Sequence, residues 1–294
     1  MERTGRTILV TGATGQQGGA VARHLTNLGW QVRALTRQAD KPASEALSQR
    51  GIGVAEGDLE DRASLDSALE GVYGVFSVQD FWEHGYDAEV LQGKNLADAA
   101  KAHGIQHLVY NSVGGADRDS GIAHFESKWE VEEHIRSLDI PHTIFRPVWF
   151  MDNFVGESFY DSIRDGVFSM GLAPDVALQM IDVNDIGGLV ALAFENPDTF
   201  LGEEVEIAGD ELTGPQMATL FGEVMGHPVR YEHIPMDVLR RQSEENAAMF
   251  RWFSEHGYEA DIPALREIYP PLATFAEWLR ETGYGEEAEE AGAR

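Results

Sequence analysis

The chain has 294 residues, of which 43% are apolar and 24% charged, and its formal net charge is −28. This length and composition are typical of a globular protein with one large domain and a smaller appended one. The negative charge argues against nucleic acids and anionic membrane surfaces as partners, and the lack of cysteine excludes disulfides, thiolate metal sites and a cysteine nucleophile.

Short β-branched runs alternate with helical patterns through the first half of the chain. The predicted strands are 7–11, 31–36, 53–58, 73–78, 107–112 and 142–147. The predicted helices are 18–28, 43–50, 62–69, 86–103 and 124–137. Gly29 and Gly104 are expected to end two of these helices, and Asp61 to cap the start of a third. Such alternation predicts right-handed βαβ units and a parallel, doubly wound sheet.

Beyond residue 150 the alternation is weaker. Helices are expected near 151–164, over 183–196, after Thr213 and within 236–282, and strands at 177–182, 204–208 and 229–234. Gln216, three residues after Thr213, predicts a capping box. We expect a smaller α+β lobe here, built from extensions of the main sheet.

No run of about 18 apolar residues occurs, and the first residues contain a strand pattern where a signal peptide has an apolar segment. We therefore expect a cytoplasmic protein that does not enter a membrane. Only four of the 22 basic residues are lysine. An acidic, lysine-poor chain suits concentrated salt, where screening weakens self-repulsion, and an acidic protein at ordinary salt is the open alternative.

A glycine-rich loop follows the first predicted strand. Gly12, Gly15 and Gly18 give the spacing G-x-x-G-x-x-G between that strand and a helix. Gly12 suits a tight turn, Gly15 a close approach of the backbone to a pyrophosphate, and Gly18 close packing of the helix on the strand. A phosphate would then contact the N–H groups at the helix start. The loop therefore predicts dinucleotide binding, with turn glycines of no further role as the alternative.

The end of the second predicted strand indicates which dinucleotide is bound. A residue that holds the ribose 2′-hydroxyl of NAD is acidic and lies about 20 residues after the loop. Arg37 stands there instead, and a guanidinium binds a 2′-phosphate through paired hydrogen bonds. We therefore predict NADP(H) as the cofactor, against the alternative of a solvated arginine.

Five stretches carry a resemblance that covers almost the whole chain: VTGATGQQGGAVARHL, GVYGVFSVQDFWEHG, QGKNLADAAKAHGIQHLVYNSV, HFESKWEVEEHIRSLDIPHTIFRPVWFMDNF and MFRWF. In them the chain resembles the NmrA-like family of atypical short-chain dehydrogenases/reductases, which includes animal NADPH-sensor proteins. The resemblance implies an α/β fold of the Rossmann type, a doubly wound parallel sheet with a smaller C-terminal α+β lobe. It implies an NAD(P)-binding domain over 1–150 and a substrate-type lobe over 151–284, interleaved with the core. An acidic tail over 285–294 is expected in solvent.

The resemblance and the loop together suggest a set of cofactor-binding residues. Asp58 and Leu59 are expected at the adenine, Val78 and Gln79 at the ribose, and residues after the sixth strand near the nicotinamide. The full set is Gly12, Thr14, Gly15, Gln16, Gln17, Gly18, Arg37, Asp58, Leu59, Val78, Gln79, Lys128, Pro147, Trp149 and Phe150.

The catalytic candidates are Ser112, His124 and Lys128. Related dehydrogenases use a serine after the fifth strand and a Tyr-x-x-x-Lys on the next helix. Here Ser112 ends the fifth predicted strand, and HFESK places His124 where the tyrosine would stand, one turn before Lys128. This departure argues against the usual tyrosine route of carbonyl reduction. Lys128 is left with three roles: a ligand of the nicotinamide ribose, a proton donor, or a surface lysine paired with Glu132.

Other clusters are expected to be structural. Phe81, Trp82, His84 and Tyr86 are predicted on a loop over the nicotinamide, where they either line a substrate pocket or cover the cofactor. Glu130, Glu132 and Glu133 are interpreted as a solvated helix face, and residues 249–253 as packing between the lobe and the core. The ten histidines show no metal-ligand spacing, so we predict no metal site.

Two functions remain open. The first is an NADPH-dependent reductase of a small unsaturated, quinone-like or carbonyl substrate. The second is a redox sensor that distinguishes NADPH from NADP+ and acts through a protein partner. The sequence slightly favours the enzyme, because it shows no regulatory tail or partner motif. Both functions are compatible with a homodimer.

Overall fold

The computed structural model describes residues 5–285 and divides into two structural units. Unit 1 comprises Met1–Pro147 and Val183–Glu206, and unit 2 comprises Val148–Asp182 and Ile207–Arg294. Except for Gly285, the predicted acidic tail lies outside the described residues.

Twelve strands occur among the described residues. In chain order they are β1 (Thr7–Val10), β2 (Gln31–Thr36), β3 (Gly53–Glu56), β4 (Val72–Ser77), β5 (His107–Asn111), β6 (His142–Pro147), β7 (Trp149–Phe150), β8 (Val167–Met170), β9 (Ala177–Ile181), β10 (Glu204–Ile207), β11 (Asp210–Thr213) and β12 (Arg230–His233).

Helices connect most of these strands. In the same residue range they are α1 (Gln16–Asn27), α2 (Pro42–Gln49), α3 (Arg62–Ala68), α4 (Phe81–Ala102), α5 (Ala123–Ser137), α6 (Glu157–Arg164), α7 (Val183–Glu195), α8 (Pro197–Phe200), α9 (Gly214–Met225), α10 (Met236–Gln242), α11 (Glu244–Glu255), α12 (Ile262–Ile268) and α13 (Phe275–Glu281). A 3₁₀ helix over Met151–Val155 precedes α6.

The main sheet has seven strands in the order β3-β2-β1-β4-β5-β6-β10. Strands β1 to β6 pair with one another in parallel, and β1 lies in register with β2 from Thr7 opposite Gln31 to Val10 opposite Ala34. The strand order reverses between β1 and β4, and open sheets of this type bind ligands beside the carboxyl ends of the strands at such a point. The predicted doubly wound parallel α/β fold is confirmed.

Buried apolar residues on the strands and on the helices beside them form the core of unit 1. Leu9, Val75, Leu108 and Ile144 come from four adjacent strands and are fully buried, together with Leu96 of α4. Strands covered on both faces are apolar at consecutive positions, which explains why short runs such as TILV predicted them well.

Unit 2 has sheets of its own. β11, β9 and β7 form one sheet, in which β9 pairs antiparallel with β11 and parallel with β7, and β12 pairs parallel with β8 in another. The expectation that the lobe extends the main sheet is therefore wrong for these five strands, while β10 does join the main sheet next to β6. Residues 249–253 lie in α11 and pack inside unit 2, where Phe250 and Phe253 contact the ring of Trp149.

The predicted loop after β4 is in fact the first turn of α4. Asp80 caps this turn, because its side chain accepts hydrogen bonds from the backbone N–H groups of Trp82 and Glu83. Gly85 then leaves helical geometry, with φ of 79° and ψ of −177°, before the helix continues. Phe81, Trp82 and His84 thus belong to a short turn that Gly85 separates from the rest of α4.

The interpretation of α5 as carrying a solvated acidic face is wrong for two of the three glutamates. Glu132 is fully buried. Glu130 is half-buried and accepts hydrogen bonds from the Tyr86 hydroxyl at 3.0 Å and from Lys94 Nζ at 2.6 Å. Only Glu133 is exposed.

Candidate cofactor and active site

The glycine loop between β1 and α1 is closely packed. Gly12 has φ of +61°, a left-handed conformation that favours glycine, and its carbonyl accepts a hydrogen bond from the N–H of Gly15 at 2.8 Å. A Cβ on Gly18 would lie 2.4 Å from backbone atoms of Gly12 and Thr11. Helix α1 therefore contacts the end of β1 at a distance that only glycine permits.

The first turn of α1 is suited to an anion. Gly15 caps the helix without a side-chain hydrogen bond, and the first turn contains no acidic residue. Gln16 and Gln17 begin the helix, while Thr14 lies exposed in the loop before it. The N–H groups of a helix start attract negative charge, and no carboxylate of this turn competes for them.

Hydrogen bonds tie the neighbouring strand ends to this loop. The Thr11 hydroxyl accepts from the N–H of Val78 at 2.8 Å and donates to the Val78 carbonyl at 3.0 Å. Asn111, at the end of β5, donates from Nδ2 to Oε1 of Gln17 at 2.8 Å. The structure thus brings together the loop, Val78 and the end of β5.

Three buried polar atoms at these strand ends have no hydrogen-bond partner within the described residues: Gln79 Oε1, Asn111 Oδ1 and Ser112 Oγ. The side-chain Nε2 of Gln79 donates to Ser77 Oγ at 3.0 Å, whereas the side-chain oxygen Oε1 has no such partner among the described residues. A buried polar group without a partner is costly, and such groups in native proteins have an explanation, which includes an absent ligand. The hydroxyl and amide groups of a dinucleotide would supply hydrogen-bond partners for these three atoms.

Arg37 directly follows β2 and is half exposed. Its Nη2 donates to Glu83 Oε1 at 3.0 Å, and its Nη1 lies 3.5 Å from His84 Nε2. The hydrogen bond to Glu83 raises the pKa of the guanidinium; burial opposes this shift, and the charges of nearby carboxylates add to it. Arg37 therefore stays charged at the end of β2, where a 2′-phosphate is predicted.

The predicted adenine residues lie in the loop after β3. The N–H of Asp58 donates to Ser64 Oγ at 2.9 Å, and the Leu59 carbonyl accepts from Asn95 Nδ2 of α4 at 3.0 Å. These contacts fix the loop from both sides. The roles of Asp58 and Leu59 toward a cofactor stay predictions.

Lys128 is paired with a different residue from the one expected. Its Nζ donates to Glu89 Oε1, and Ser127 Oγ of the same helix donates to Glu89 Oε2. Glu89 is fully buried, and the side chain of Lys128 is 14% exposed. The surface pairing of Lys128 with Glu132 is therefore wrong: Glu89 of α4 holds the ammonium in a partly buried position.

Close packing of α4 on α5 places this pair. A Cβ on Gly93 would lie 2.6 Å from the side chain of Val131, so only glycine allows the two helices this approach. Glu89 precedes Gly93 by one turn, and Lys128 precedes Val131 by about one turn. The two helices therefore bring the carboxylate and the ammonium together.

His124 and Ser112 are both buried. The His124 ring lies 5.0 Å from the ring of Trp82 and 5.6 Å from that of Phe81, measured between centroids. The first turn of α4 therefore covers His124, whereas Trp82 itself is 65% exposed. Ser112 follows β5, and its N–H donates to the Phe145 carbonyl at 2.8 Å.

The three residues predicted near the nicotinamide, at and after the end of the sixth strand, fall into different units. Pro147 ends β6 in unit 1, whereas Trp149 and Phe150 form β7 in unit 2. Trp149 packs against Phe250 and Phe253, and its indole Nε1 is buried without a hydrogen-bond partner within residues 5–285.

Residues 5–285 contain neither a metal-binding cluster nor a membrane-spanning helix. No group of three or more histidine, aspartate or glutamate side chains in this range is arranged to hold a metal ion. No helix in the same range is long and apolar enough to cross a membrane.

The model of the NmrA-like family matches residues 4–279. The chain belongs to the NmrA-like family. A reductase of (4-alkanoyl-5-oxo-2,5-dihydrofuran-3-yl)methyl phosphate from Streptomyces griseus is 32% identical to this family member over 237 residues, which cover 79% of either chain. An NAD(P)H azoreductase from Xenophilus azovorans is 30% identical over 232 residues, again with 78% of each chain covered.

A solved structure of the same fold is the NADPH-dependent quinone oxidoreductase QOR2 of Escherichia coli, complexed with NADPH. It is 26% identical, with a TM-score of 0.80, and the match covers 94% of this NmrA-like chain and 99% of QOR2. Its bound NADPH agrees with the cofactor predicted for the present chain.

Sequence reasoning missed two carboxylates of this NmrA-like site. Glu89 shares a buried face of α4 with Gly93, Leu96 and Ala100, at helical spacing. A glutamate on an otherwise apolar face signals a buried partner, and this signal was available in the sequence. Glu83 gave no such signal, because its contact with Arg37 joins residues from two separate strand ends.

Proposed function

We propose that this NmrA-like protein is an NADPH-dependent reductase of small conjugated acceptors, such as unsaturated lactones, quinones, carbonyl or azo compounds. The observation that carries the proposal is the anchored Lys128, held by the buried Glu89 in the unit that contains the glycine loop. Its relatives from Streptomyces and Xenophilus are named as reductases of an unsaturated ring and of azo compounds.

The residues at the strand ends would have separate roles in such a reaction. When bound, NADPH supplies the hydride to an electron-poor atom of the substrate. The start of α1 would hold the pyrophosphate, Arg37 the 2′-phosphate, and Gln79, Asn111 and Ser112 the remaining polar groups. Lys128 Nζ would donate the proton to the atom that gains negative charge, and Glu89 keeps the ammonium in place.

Arg37→Ala tests the cofactor. We expect NADPH to bind about 10- to 150-fold more weakly, because charge-assisted hydrogen bonds to a phosphate are lost, while NADH affinity stays within about twofold. Fluorescence titration of both cofactors measures this difference. Arg50→Ala removes the same charge from an exposed position after α2 and should change neither affinity. Equal losses for NADPH and NADH would contradict the assignment.

Lys128→Ala tests the proton donor. A general acid contributes about 10²- to 10⁴-fold to a rate, so we expect turnover to fall by that factor while NADPH still binds. The measurement is NADPH consumption by the purified protein, in low and in high salt, against quinones, enones, aldehydes and azo dyes. Lys94→Ala, which removes another lysine–glutamate pair between α4 and α5, is the matched control and should keep the activity.

The same assay separates the reductase from a redox sensor. If no compound oxidises NADPH, and NADPH binds much more tightly than NADP+, the sensor becomes the better description. Turnover that survives Lys128→Ala would instead keep the reductase and remove the role given to Lys128.

A further inference from the structure

The guanidinium of Arg37, which is predicted to bind the 2′-phosphate of the cofactor, is paired with the carboxylate of Glu83. Arg37 Nη2 lies 3.0 Å from Glu83 Oε1, and the two side chains are 56% and 55% exposed. The hydrogen bond from Arg37 is also the main reason why the pKa of the Glu83 carboxyl is lowered, with the charges of His84 and Arg37 next. Glu83 is thus an anion bound to Arg37 at the position where a second anion is expected.

An exposed ion pair of this kind exchanges partners easily. Because both side chains are in contact with water, separating them leaves no buried charge without a partner. A phosphate offers more acceptor oxygens and more negative charge than one carboxylate, so it can take the guanidinium from Glu83.

The backbone around Glu83 allows its carboxylate to move away from Arg37. Glu83 lies in the turn 81–84, and Gly85, with φ of 79° and ψ of −177°, separates that turn from the rest of α4. At its other end the turn is held by the contacts of Phe81 and Trp82 with His124. The carboxylate can therefore leave Arg37 without displacing the long, buried part of α4.

We propose that Glu83 is a specificity-determining residue, which competes with the 2′-phosphate of the cofactor for Arg37 and so narrows the preference for NADP(H) over NAD(H). This inference rests on the proposed function, because it needs an NADP(H) site at Arg37. NADPH must displace Glu83 before it gains the full contact with Arg37. NADH, which has no 2′-phosphate, leaves the Arg37–Glu83 pair intact. Glu83 therefore opposes the binding of one cofactor only.

The test is a titration of NADPH and NADH, followed by cofactor fluorescence at low ionic strength, on four forms of the full chain. These are the wild type, Glu83→Gln, Arg37→Ala and the double variant. We expect Glu83→Gln to bind NADPH about two- to fivefold more tightly, the range set by a surface ion pair, with NADH unchanged. In the Arg37→Ala background the same substitution should not raise NADPH affinity, because the guanidinium for which Glu83 and the 2′-phosphate compete is absent.

Glu70→Gln is the matched control. It removes an exposed glutamate that lies before β4, whereas the turn 81–84 follows the other end of that strand. It should leave both affinities unchanged. Thermal melts confirm that every variant is folded. In 1 M salt the gain from Glu83→Gln should shrink, because exposed charges are screened.

The outcomes separate the inference from the proposed function. If Arg37→Ala weakens NADPH but Glu83→Gln does not tighten it, the inference is wrong and the cofactor site stands. A gain that persists in the Arg37→Ala background overturns the inference as well, since Glu83 would then act by direct repulsion. If Arg37→Ala leaves NADPH binding unchanged, the cofactor assignment itself fails.

Discussion

Gly18→Ala is expected to weaken NADPH binding at least about tenfold and to destabilise the protein by about 1–3 kcal/mol. The added Cβ would lie 2.4 Å from backbone atoms of Thr11 and Gly12. Those atoms cannot move without shifting α1 away from β1 and changing the loop that presents the helix start. Calorimetric titration with NADPH and a thermal melt measure the two effects.

The neighbouring glycine of the same helix provides the control. A Cβ on Gly19 would have its nearest contact with the Ala13 carbonyl oxygen at 3.3 Å, which a small shift relieves. Alanine also has a helix propensity about 1 kcal/mol better than that of glycine. Gly19→Ala should therefore be close to neutral. If Gly18→Ala behaves in the same way, the close contact of helix and strand is not what shapes the loop.

Glu132→Ala is expected to lower the free energy of unfolding by about 3–5 kcal/mol, as when one partner of a buried ion pair is removed. Glu132 accepts hydrogen bonds from Arg146 Nε at 3.0 Å and Nη2 at 2.7 Å, and from Arg136 Nη2 at 2.5 Å. Arg146 is itself buried, and in the variant it keeps Asp117 and Glu204 as ion-pair partners. Thermal and urea unfolding measure the loss.

Glu133→Ala, at the exposed next position of α5, removes the same charge and should change the stability by less than about 0.5 kcal/mol. Comparable losses for Glu132→Ala and Glu133→Ala would show that net charge, rather than the buried network, governs stability here. Because Glu132 bonds to Arg136 and Arg146, whereas Lys128 is paired with Glu89, we expect NADPH affinity to survive in the folded fraction of Glu132→Ala.

The alternation of strands and helices in unit 1 could be predicted because each strand there is a short apolar run between turn residues. β6 was predicted at its observed bounds, and the cap of α3 by Asp61 was found as expected. The short strands β8 and β11 were missed. Each has only four residues, of which one is polar in β8 and three are polar in β11, and their pairing depends on partners far along the chain.

Local pattern and family resemblance suggested the candidate groups of the site, and tertiary contact decided their partners. The glycine spacing, Arg37, Ser112, His124 and Lys128 are all legible as residue types at fixed distances along the chain. Which carboxylate holds Lys128, and which one holds Arg37, depends on how α4 lies against α5 and against the end of β2.

The amino-acid sequence alone indicated the family, through the resemblance of five stretches. It also predicted the doubly wound sheet and the place of the glycine loop, because these follow from periodicity and from turn and phosphate-binding residues that are neighbours in the chain. The pairing of Lys128 with Glu89 and of Arg37 with Glu83, the buried state of Glu132 and the separate sheets of unit 2 emerged only from the tertiary structure. Each of these joins residues that are remote in sequence, and the free energy of a charge depends on the partner and the burial it finds there.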